Sequence, residues 1–458
     1  MKEKAKIIAT AVTAVFACAL MIFSAIVTKH LRAPKIIIPN ENNTTAAQTG
    51  ESKAEKKAFS FDYDKLSSVL TVSQGLEITP EMLKAGVDDK ETLKTLLEES
   101  EQGEIPDTRF IELTGYTACA FADVYGEKQS RDMGNNGKDS FTLGFTGDIT
   151  FDEESYYVMI HALEKPNKVL DCIDETFQTE MKNADIMLIN NEFPYTDRGE
   201  PTPGKKYTFR GRPEFVKYFN DMGVDIVSLA NNHVSDYGPV SFTDTIDTLN
   251  KADIVYVGAG MNAEEANAPK TFIINGYKVG YIACSGVEYP IKTPVAGENS
   301  YGVMGSYDDG KTVTKAIRLA KRTCDYVIVF PHWGYENTTE LSGAQIANSR
   351  AWIDAGADAI IGNHSHCLQG MDYYNGKYIA YSLGNFWFNA RRLYTGLLKL
   401  EISEKGITPI LVPGLQANRE THYISDKAEQ RKLYDTVEGY PTKNGVKIDD
   451  EGRISPKG

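Results

Sequence analysis

Residues 357–366, ADAIIGNHSH, place a short apolar run directly before two histidines. The apolar run is typical of a buried β-strand, and the polar residues after it are typical of the loop in which such a strand ends. His364 and His366 are one residue apart, so this loop can turn both imidazoles towards a shared centre. Because the chain has only 7 histidines in 458 residues, the pair indicates a functional site.

Four more β-rich runs end in polar residues of the kind that bind metals or transfer protons. They are FTLGFTGD at 141–148, ADIMLINNE at 184–192, VDIVSLANNH at 224–233 and CDYVIVFPHWG at 324–334. Segments with helical spacing of apolar residues lie between these runs, and Asn275-Gly276 and Asn375-Gly376 predict two hairpin turns. The alternation of strands and helices predicts an α/β domain with buried strands.

The polar residues at the strand ends form one set of candidate site residues. In α/β sheets, ligands bind beyond the carboxyl ends of the strands, so we expect these side chains to converge on one crevice. The set comprises Asp148, Asn190, Glu192, Asn231, Asn232, His233, Asp236, His332, Glu336, His364 and His366. Imidazole, carboxylate and carboxamide groups are ligands that suit Zn, Mn or Fe. A single histidine after a strand is more often structural, but four of the seven histidines follow strands.

The motifs GFTGD, NNE, LANNHVSDYG, HWGYE, GNHSH and YSLGNF stand in the order found in the CapA-like family. This family comprises capsule or poly-gamma-glutamate biosynthesis proteins related to calcineurin-like metallophosphoesterases, and the resemblance covers roughly residues 141 to 390. It implies a four-layer α/β fold, in which two mixed sheets pack face to face and are flanked by helices. It also implies a site for one or two divalent ions. The implied metal-site residues are Asp148, Glu192, Asn232, His332, His364 and His366.

The resemblance further implies catalytic roles for His233 and Asp236. His233 would take the place of the histidine that assists the leaving group in phosphoesterases, and Asp236 would orient it. One departure concerns Asp148, because the wider phosphoesterase pattern has a histidine two residues after this aspartate and the present chain has Thr150. The departure implies that one metal position binds its ion weakly or is empty.

Four further residues are candidates for binding a substrate. Arg210 and Arg212 precede a predicted helix start, where they would bind an anion or, equally well, form surface salt bridges. Glu336 would support a metal ligand or be a solvated charge, and Asn385 would contact substrate or cap a loop.

The net charge of −14 argues against a protein that binds nucleic acid through its overall charge. Near the N-terminus, lysines precede an uncharged apolar stretch from Ile7 to Val27, which is long enough to cross a bilayer as a helix. We expect a membrane anchor, with a cleaved signal peptide as the main alternative. The short N-terminal tail favours a cytoplasmic N-terminus and an extracytoplasmic main domain.

The sequence suggests five regions. They are a tail and transmembrane anchor at 1–32, a polar flexible linker at 33–60, an accessory region at 61–140, the CapA-like metallophosphoesterase-type domain at 141–400, and a C-terminal strand and tail segment at 401–458. The accessory region contains helical patterns, and its role is not indicated by its sequence.

Two functions fit these expectations. The first is a membrane-anchored, extracytoplasmic metal-dependent hydrolase of capsule or poly-gamma-glutamate biosynthesis or export, acting on a phosphoester or a gamma-linked amide. The second is a non-catalytic subunit of a membrane capsule-export assembly, in which the site binds an anionic polymer or maintains structure. Both functions predict contact with the membrane and with other subunits of a polymer synthase or export complex.

Overall fold

The computed structural model describes residues 61–74, 78–87, 90–116, 118, 121, 130–288 and 292–457. The expected anchor at Ile7–Val27 and the linker at 33–60 lie outside these residues. Within the described ranges, no helix is both long enough and apolar enough to cross a membrane.

The strands are numbered in chain order. They are β1 Ser130–Asp132, β2 Ser140–Ile149, β3 Ile186–Asn191, β4 Ile226–Ser228, β5 Val255–Val257, β6 Ala259–Gly260, β7 Lys270–Ile274, β8 Tyr277–Ser285, β9 Gly302–Val303, β10 Tyr326–His332, β11 Ala359–Ile361, β12 Met371–Tyr374, β13 Lys377–Ala380, β14 Asn385–Trp387, β15 Leu393–Ser403, β16 Gly406–Ala417, β17 Glu420–Tyr423, β18 Val446–Ile448 and β19 Ile454–Pro456.

The helices are likewise described by their bounds. The α-helices are Tyr63–Gln74, Pro80–Gly86, Lys90–Gln102, Asp107–Thr114, Val158–Leu163, Glu175–Asn183, Lys217–Asp221, Pro239–Lys251, Ala263–Asn267, Lys311–Ala320, Gly343–Ala355 and Lys427–Gly439, and the 3-10 helices are Lys168–Cys172 and Pro213–Val216.

Two mixed sheets contain most of the strands. The first sheet has the order β1-β7-β8-β10-β11-β13-β12, with β8, β10, β11 and β13 parallel. The second has the order β17-β16-β15-β2-β3-β4-β5, with β2 to β5 parallel, β15 antiparallel to β2, and β14 paired with β2 off this path. The parallel strands of each sheet therefore end at a common edge.

The two sheets pack against each other through alternate residues of their strands. In β10, Ile328 and Phe330 belong to a core shared with the second sheet, and the Phe330 ring stacks on Phe145 of β2 with centroids 6.2 Å apart. Val327 and Val329 point to the other face and pack against helices Lys311–Ala320 and Gly343–Ala355. Helices on the other side of the molecule, such as Pro239–Lys251, complete the core of the second sheet. The architecture is thus two mixed sheets flanked by helices.

The regions on either side of the predicted domain take part in the same sheets. β1, in the predicted accessory region, pairs in parallel with β7. β15 crosses residue 400, and β16 and β17 continue the second sheet. The helices between residues 63 and 114 form their own small core, which includes Leu319 of helix Lys311–Ala320. The sheets therefore extend from residue 130 to residue 423.

Candidate metal centre

The candidate residues lie where parallel strands of both sheets end. Asp148 is the penultimate residue of β2, Glu192 follows β3 directly, and His332 is the last residue of β10. Registers between the strands bring these ends together, since Asp148 pairs with Asn190 and His332 forms a bridge with Asn363 after β11. The convergence predicted from the strand ends is therefore present in the structure.

The loop after β11 is held in an uncommon conformation. His364 and His366 have φ angles of 89° and 55°, in the left-handed region that non-glycine residues avoid. The loop is fixed at its start, because the Asn363 N–H donates to the Pro331 carbonyl at 3.0 Å. Such strain persists only where surrounding structure enforces it, and it is concentrated at functional sites. In this loop it turns both imidazoles towards the ends of β2 and β3.

Two groups of donor atoms meet at Glu192. One consists of Glu192, His332 and His364, and the other of Asp148, Glu192 and His366; in each group the potential ligand atoms lie within 4.8 Å of one another. All five side chains are buried. Because Glu192 belongs to both groups, it would help to hold an ion at either position.

A fourth donor joins the first group. Asn232 Oδ1 lies 2.9 Å from His332 Nε2, and the same nitrogen lies 3.0 Å from His364 Nδ1 and 3.7 Å from Glu192 Oε1. Two imidazole nitrogens that face each other need a proton between them or a shared cation, since each lone pair repels the other. The first position thus has four protein donors and the second has three.

Carboxylate oxygens at the centre have unused acceptor capacity. Glu192 Oε1 and Asp148 Oδ2 are buried, and neither receives a hydrogen bond from a residue that the structure describes. Asp148 Oδ2 lies 3.2 Å from His366 Nδ1, but that nitrogen is hydrogen-bonded to Asn385 Oδ1 at 2.8 Å. Buried polar atoms are almost always satisfied, so these two oxygens need a proton or a metal ion as their partner. The donors present therefore fit a divalent metal ion.

Burial and mutual repulsion shift the pKa values of the cluster. Burial and the nearby Asp148 carboxylate raise the pKa of Glu192 well above its ordinary value. Burial also opposes ionisation of Asp148, but His366, together with hydrogen bonds from Glu192 and Asn190, lowers the pKa of Asp148. Asp148 in turn raises the pKa of His366 against the effect of burial. Burial, helped by neighbouring imidazoles, lowers the pKa of His332 well below its usual range and that of His364 to about 3. His332 and His364 are therefore neutral, as metal ligands must be.

An asparagine network fixes the carboxylates. The Asn190 amide donates to Asp148 Oδ1 at 2.8 Å and to Glu192 Oε2 at 2.9 Å, while its oxygen accepts a hydrogen bond from Asn231 at 3.1 Å. The Asn231 oxygen in turn accepts from the His233 N–H at 3.0 Å. Asn190 and Asn231 therefore orient the donors through hydrogen bonds.

His233 stands beside the cluster at the end of a buried relay. Its Nδ1 lies 2.6 Å from Asp236 Oδ2, and its Nε2 faces Glu192 Oε1 at 3.9 Å. Burial lowers the pKa of His233. Asp236 Oδ1 pairs with Lys205 Nζ at 2.6 Å, and the Lys205 side chain is only 3% exposed. Lys205 was missed from the sequence, because its loop has no periodicity, and only the need of buried Asp236 for a counter-charge could have indicated it.

The structure does not bring Arg210 and Arg212 into the cluster. Arg210 donates to Glu154, with Nε at 3.1 Å from Oε1, and Arg212 donates to Glu153 with Nη2 at 2.7 Å from Oε1. The arginines thus form the surface salt bridges that were the alternative to anion binding.

The other two candidate substrate residues adjoin the cluster. Asn385 orients His366 through the hydrogen bond already described. Glu336 is exposed and lines a cleft that His366 also lines.

Thr150 occupies the position of the expected histidine. It is buried, and its backbone N–H donates to the Trp387 carbonyl at 3.1 Å. Its hydroxyl has no hydrogen-bond partner among the residues that the structure describes. The position with three donors is therefore the one that lacks a histidine near Asp148.

The chain is similar to known bacterial capsule proteins. A family model described as "Bacterial capsule synthesis protein PGA_cap" matches residues 142–390. The chain is 34% identical over 214 residues to the capsule biosynthesis protein CapA of Bacillus anthracis, covering 46% of this chain and 52% of that protein. It is 30% identical over 287 residues to the PGA biosynthesis protein CapA of Bacillus subtilis (strain 168), covering 59% of this chain and 72% of that protein.

Among solved structures, a hypothetical protein from Thermus thermophilus aligns with a TM-score of 0.37 and 13% identity, over 60% of this chain and 99% of that chain. The chain spans about half the length of the Bacillus anthracis relative. The family match covers more than half of the chain and contains every donor of the metal centre. The chain therefore belongs to the PGA_cap family of bacterial capsule synthesis proteins.

Proposed function

We propose that the chain is a metal-dependent hydrolase of capsule or poly-gamma-glutamate biosynthesis, acting on a phosphoester or a gamma-linked amide. The observation that carries the proposal is a pair of carboxylate oxygens, on Asp148 and Glu192, that accept no hydrogen bond from any described residue and converge with three histidines. The polymer assignment is supported by the family and by the Bacillus relatives. We further propose that the two flanked sheets form the four-layer sandwich of metallophosphoesterases.

The residues of the centre would hold one or two ions of Zn, Mn or Fe. Glu192, Asn232, His332 and His364 would hold one ion, and Asp148, Glu192 and His366 would hold the other. A structural ion uses four protein ligands, whereas a catalytic ion keeps an open position. Bound ions would supply Lewis acidity towards a phosphoryl or acyl oxygen. The position with three protein donors is the one that leaves room for substrate.

His233 would move the proton of the leaving group. Its Nδ1 is tied to Asp236, so Nε2 is the nitrogen that faces the centre. Asp236 holds the ring orientation and favours the imidazolium form when a proton arrives. Lys205 keeps Asp236 in place by pairing with its second oxygen.

The experiment measures metal content and hydrolysis on the purified full-length chain. Substrates are an aryl phosphodiester and a gamma-linked oligoglutamate, with Mn, Zn or Fe supplied separately. We expect bound metal and turnover in the native chain and loss of both in His332→Ala. His422→Ala is the matched control, because the His422 side chain is 47% exposed and pairs only peripherally with Glu420 at 3.5 Å. A native chain that neither binds metal nor hydrolyses either substrate contradicts the proposal.

A second candidate function is a non-catalytic polymer-binding subunit of a membrane capsule-export assembly. Thr150 favours it, because a threonine stands where the phosphoesterase pattern supplies a histidine ligand. The discriminating measurement is polymer production in cells that carry His364→Ala and His366→Ala together. Undiminished production with a folded protein favours the non-catalytic function.

We propose that residues 1–32 anchor the chain and that the main domain is extracytoplasmic. The support is the uncharged apolar stretch Ile7–Val27 after three lysines. Protease added to intact protoplasts should digest the domain, while the chain should sediment with membranes. Full protection contradicts the orientation, and release of a soluble form that lacks the apolar stretch indicates signal-peptide cleavage.

A further inference from the structure

His233 and His366 lie on different loops but have matching polar contacts. His233 Nδ1 lies 2.6 Å from Asp236 Oδ2, and His366 Nδ1 lies 2.8 Å from Asn385 Oδ1. Both histidines are buried. One hydrogen bond restrains a single ring nitrogen and still lets the ring tilt about it. A second contact is therefore needed to fix the orientation of each imidazole.

A buried phenylalanine supplies this second contact at each histidine. The Phe209 ring lies against the His233 ring, with centroids 4.3 Å apart and planes inclined at 34°. The Phe388 ring lies against the His366 ring in the same way, with centroids 4.7 Å apart and planes inclined at 34°. Phe209 and Phe388 are 1% and 0% exposed. Each imidazole is thus held at one nitrogen by a hydrogen bond and across one face by a ring.

The two phenylalanines also contact each other. Their ring centroids lie 5.4 Å apart and their planes are inclined at 86°. This edge-to-face geometry is favoured because the positive edge of one ring meets the negative face of the other. Tyr156 packs against both rings, with centroids 5.1 Å and 5.7 Å away. The rings of His233, Phe209, Phe388 and His366 therefore form a continuous series of contacts, the ring bridge.

Buried acceptors fix the main chain of both phenylalanines. Phe209 lies in a segment without helix or strand, and its N–H donates at 2.7 Å to Asp236 Oδ2, the oxygen that also holds His233. The Phe388 N–H donates at 2.9 Å to Oε1 of the buried Gln416. Neither phenylalanine can move away from its histidine without the loss of a buried hydrogen bond, which is costly.

The two supports of His366 come from one short segment. Asn385 is the first residue of β14, and Phe388 follows the last residue of that strand. β14 pairs in parallel with β2 where Asp148 lies. The hydrogen bond and the ring that hold His366 are therefore fixed to the same strand end as a carboxylate of the metal centre.

We propose that Phe209 and Phe388 are positioning residues, which hold the imidazoles of His233 and His366 at a fixed separation and orientation. The proposal rests on the proposed function for the roles of the two histidines. His233 would move the proton of the leaving group, and His366 belongs to the position with three metal donors. Both must act on one molecule at once, and a misplacement of about 1 Å can cost about a hundredfold in rate.

The first test needs neither metal nor substrate. The hydrogen-bonded Nδ1 proton of His233 is observed by NMR downfield of the amide signals of the full-length chain, and His233→Gln identifies it by its loss. We expect Phe209→Leu to speed its exchange with water about tenfold, because a loosened ring opens more often. Phe388→Leu should speed it about threefold through the ring bridge. Leucine keeps the backbone N–H of Phe209, so only the ring is removed.

The second test uses Co²⁺, whose visible absorption reports the geometry of its ligands. Phe388→Leu should shift this spectrum and weaken Co²⁺ binding about tenfold, as for other losses of a contact that orients a ligand. Phe209→Leu should cause a smaller shift. With the aryl phosphodiester and the gamma-linked oligoglutamate at saturating metal, both variants should lower kcat about tenfold and leave KM unchanged, because neither ring binds substrate.

Phe272→Leu is the matched control. Phe272 is equally buried, and its ring packs edge-to-face on Tyr281 with centroids 5.6 Å apart. It pairs with Val279 near the start of β8, whereas Ser285 at the end of β8 pairs with His332. This variant should lose stability as the other two do. Its proton exchange, Co²⁺ spectrum and kcat should match those of the native chain.

Melting curves check that each variant is folded. Where a leucine variant does not fold, methionine at the same position is measured instead, because its flexible side chain adapts to the space of the ring. Native exchange and native Co²⁺ binding in both ring variants would overturn the proposal, as would equal changes in Phe272→Leu. Effects of each ring that are confined to its own histidine would overturn the fixed separation.

The same measurements separate this proposal from the proposed function. If the native chain hydrolyses neither substrate but the ring variants change proton exchange and the Co²⁺ spectrum, the proposed function fails and the positioning role stands. If the native chain is active and both ring variants keep native kcat, proton exchange and Co²⁺ spectrum, only the positioning role fails.

Discussion

Carboxylates lie at both ends of the parallel strands, and the two ends use them differently. At the amino ends, an aspartate directly before a strand accepts a hydrogen bond from a backbone N–H of the neighbouring strand. These contacts are Asp185 to Thr142 at 2.8 Å, Asp225 to Met187 at 2.8 Å, Asp325 to Lys278 at 2.7 Å and Asp358 to Val327 at 2.9 Å. The aspartates extend the sheet by one hydrogen bond each.

At the carboxyl ends, Asp148 and Glu192 each keep one oxygen that no described residue satisfies. Residue type and burial are thus insufficient to recognise a site in this molecule, because Asp358 is also buried. The distinguishing property is unused acceptor capacity, which Asp358 does not have, because Lys321 and Lys377 pair with its two oxygens. The comparison shows that counting the hydrogen bonds to each buried carboxylate oxygen separates candidate metal ligands from structural residues.

The largest expected effect comes from removing the shared ligand. Glu192→Gln keeps the shape of the side chain but removes a charged donor from both positions, so both ions should be lost. We expect metal affinity to fall more than about a hundredfold, beyond the 10- to 100-fold loss typical of an outer-shell change. Metal analysis after dialysis measures the effect.

Asp225→Asn is the matched control at the other end of the strands, because the amide oxygen can still accept from Met187 N–H. Its metal content should equal that of the native chain. If Glu192→Gln and the native chain had equal metal content, the carboxylates at the carboxyl ends of the strands would not differ from those at the amino ends in metal binding.

A smaller effect is expected at His366, which belongs to one donor group only. His366→Ala should lose the ion at the position with three donors and retain the ion at the position with four. His366→Gly should lose the same ion but be more stable than His366→Ala by about 1 kcal/mol, because glycine relieves the positive φ angle. Metal stoichiometry and thermal melting measure the two effects, and loss of both ions in either variant would contradict the division into two positions.

Proton release should distinguish the two positions near neutral pH. The raised pKa values of Glu192 and His366 mean that the metal-free protein holds protons which an ion must displace, whereas His332 and His364 are already neutral. Metal affinity should therefore fall as pH decreases. Filling either position displaces the proton of the shared Glu192, and filling the position at His366 should release more protons because His366 adds its own.

Calorimetry in buffers of different ionisation enthalpy measures the release. Glu192→Gln should also change the pH dependence of the stability of the metal-free fold. A raised carboxyl pKa means that the metal-free fold loses stability as pH rises above the ordinary value of 4.5. A native chain that releases no protons on binding metal would contradict the assignment of these pKa shifts.

The smallest expected effect is at the amino ends. Asp225→Ala leaves the Met187 N–H without its acceptor and should lower the free energy of unfolding by about 1–3 kcal/mol. Metal content and affinity should not change, because Asp225 lies at the opposite end of the strands from the donors. A loss of metal in this folded variant would show that the two ends are coupled.

The sequence was sufficient to predict these strands and the convergence of the polar residues at their carboxyl ends. The runs that end near Asp148, Glu192, His332 and His364 became β2, β3, β10 and β11, because buried parallel strands require nearly continuous apolar residues. The hairpin turn at Asn275-Gly276 was also confirmed, and Asn275 has the positive φ angle that such a turn requires.

Other features could not be predicted from local patterns. Lys205 lies in a loop without periodicity, and it reaches the site only through the packing of distant segments. Arg210 and Arg212 stand before a helix start, which is a clearer local pattern. In the structure, however, Arg210 pairs with Glu154 and Arg212 pairs with Glu153. Whether a cation is already paired is a property of the tertiary structure alone.

The position of β2 has a consequence for the order in which the protein is made. β2 carries Asp148 and is flanked by β3, which follows soon after it, and by β15, which is translated after almost the whole domain. One edge of β2 therefore stays open while the ribosome completes the intervening chain, and open strand edges promote aggregation. A fragment that ends at residue 390, where the family match ends, would keep residues 140–145 of this edge open permanently, because β14 pairs with β2 only at Asp148 and Ile149. The limits of family similarity are thus a poor guide to the smallest unit that can fold.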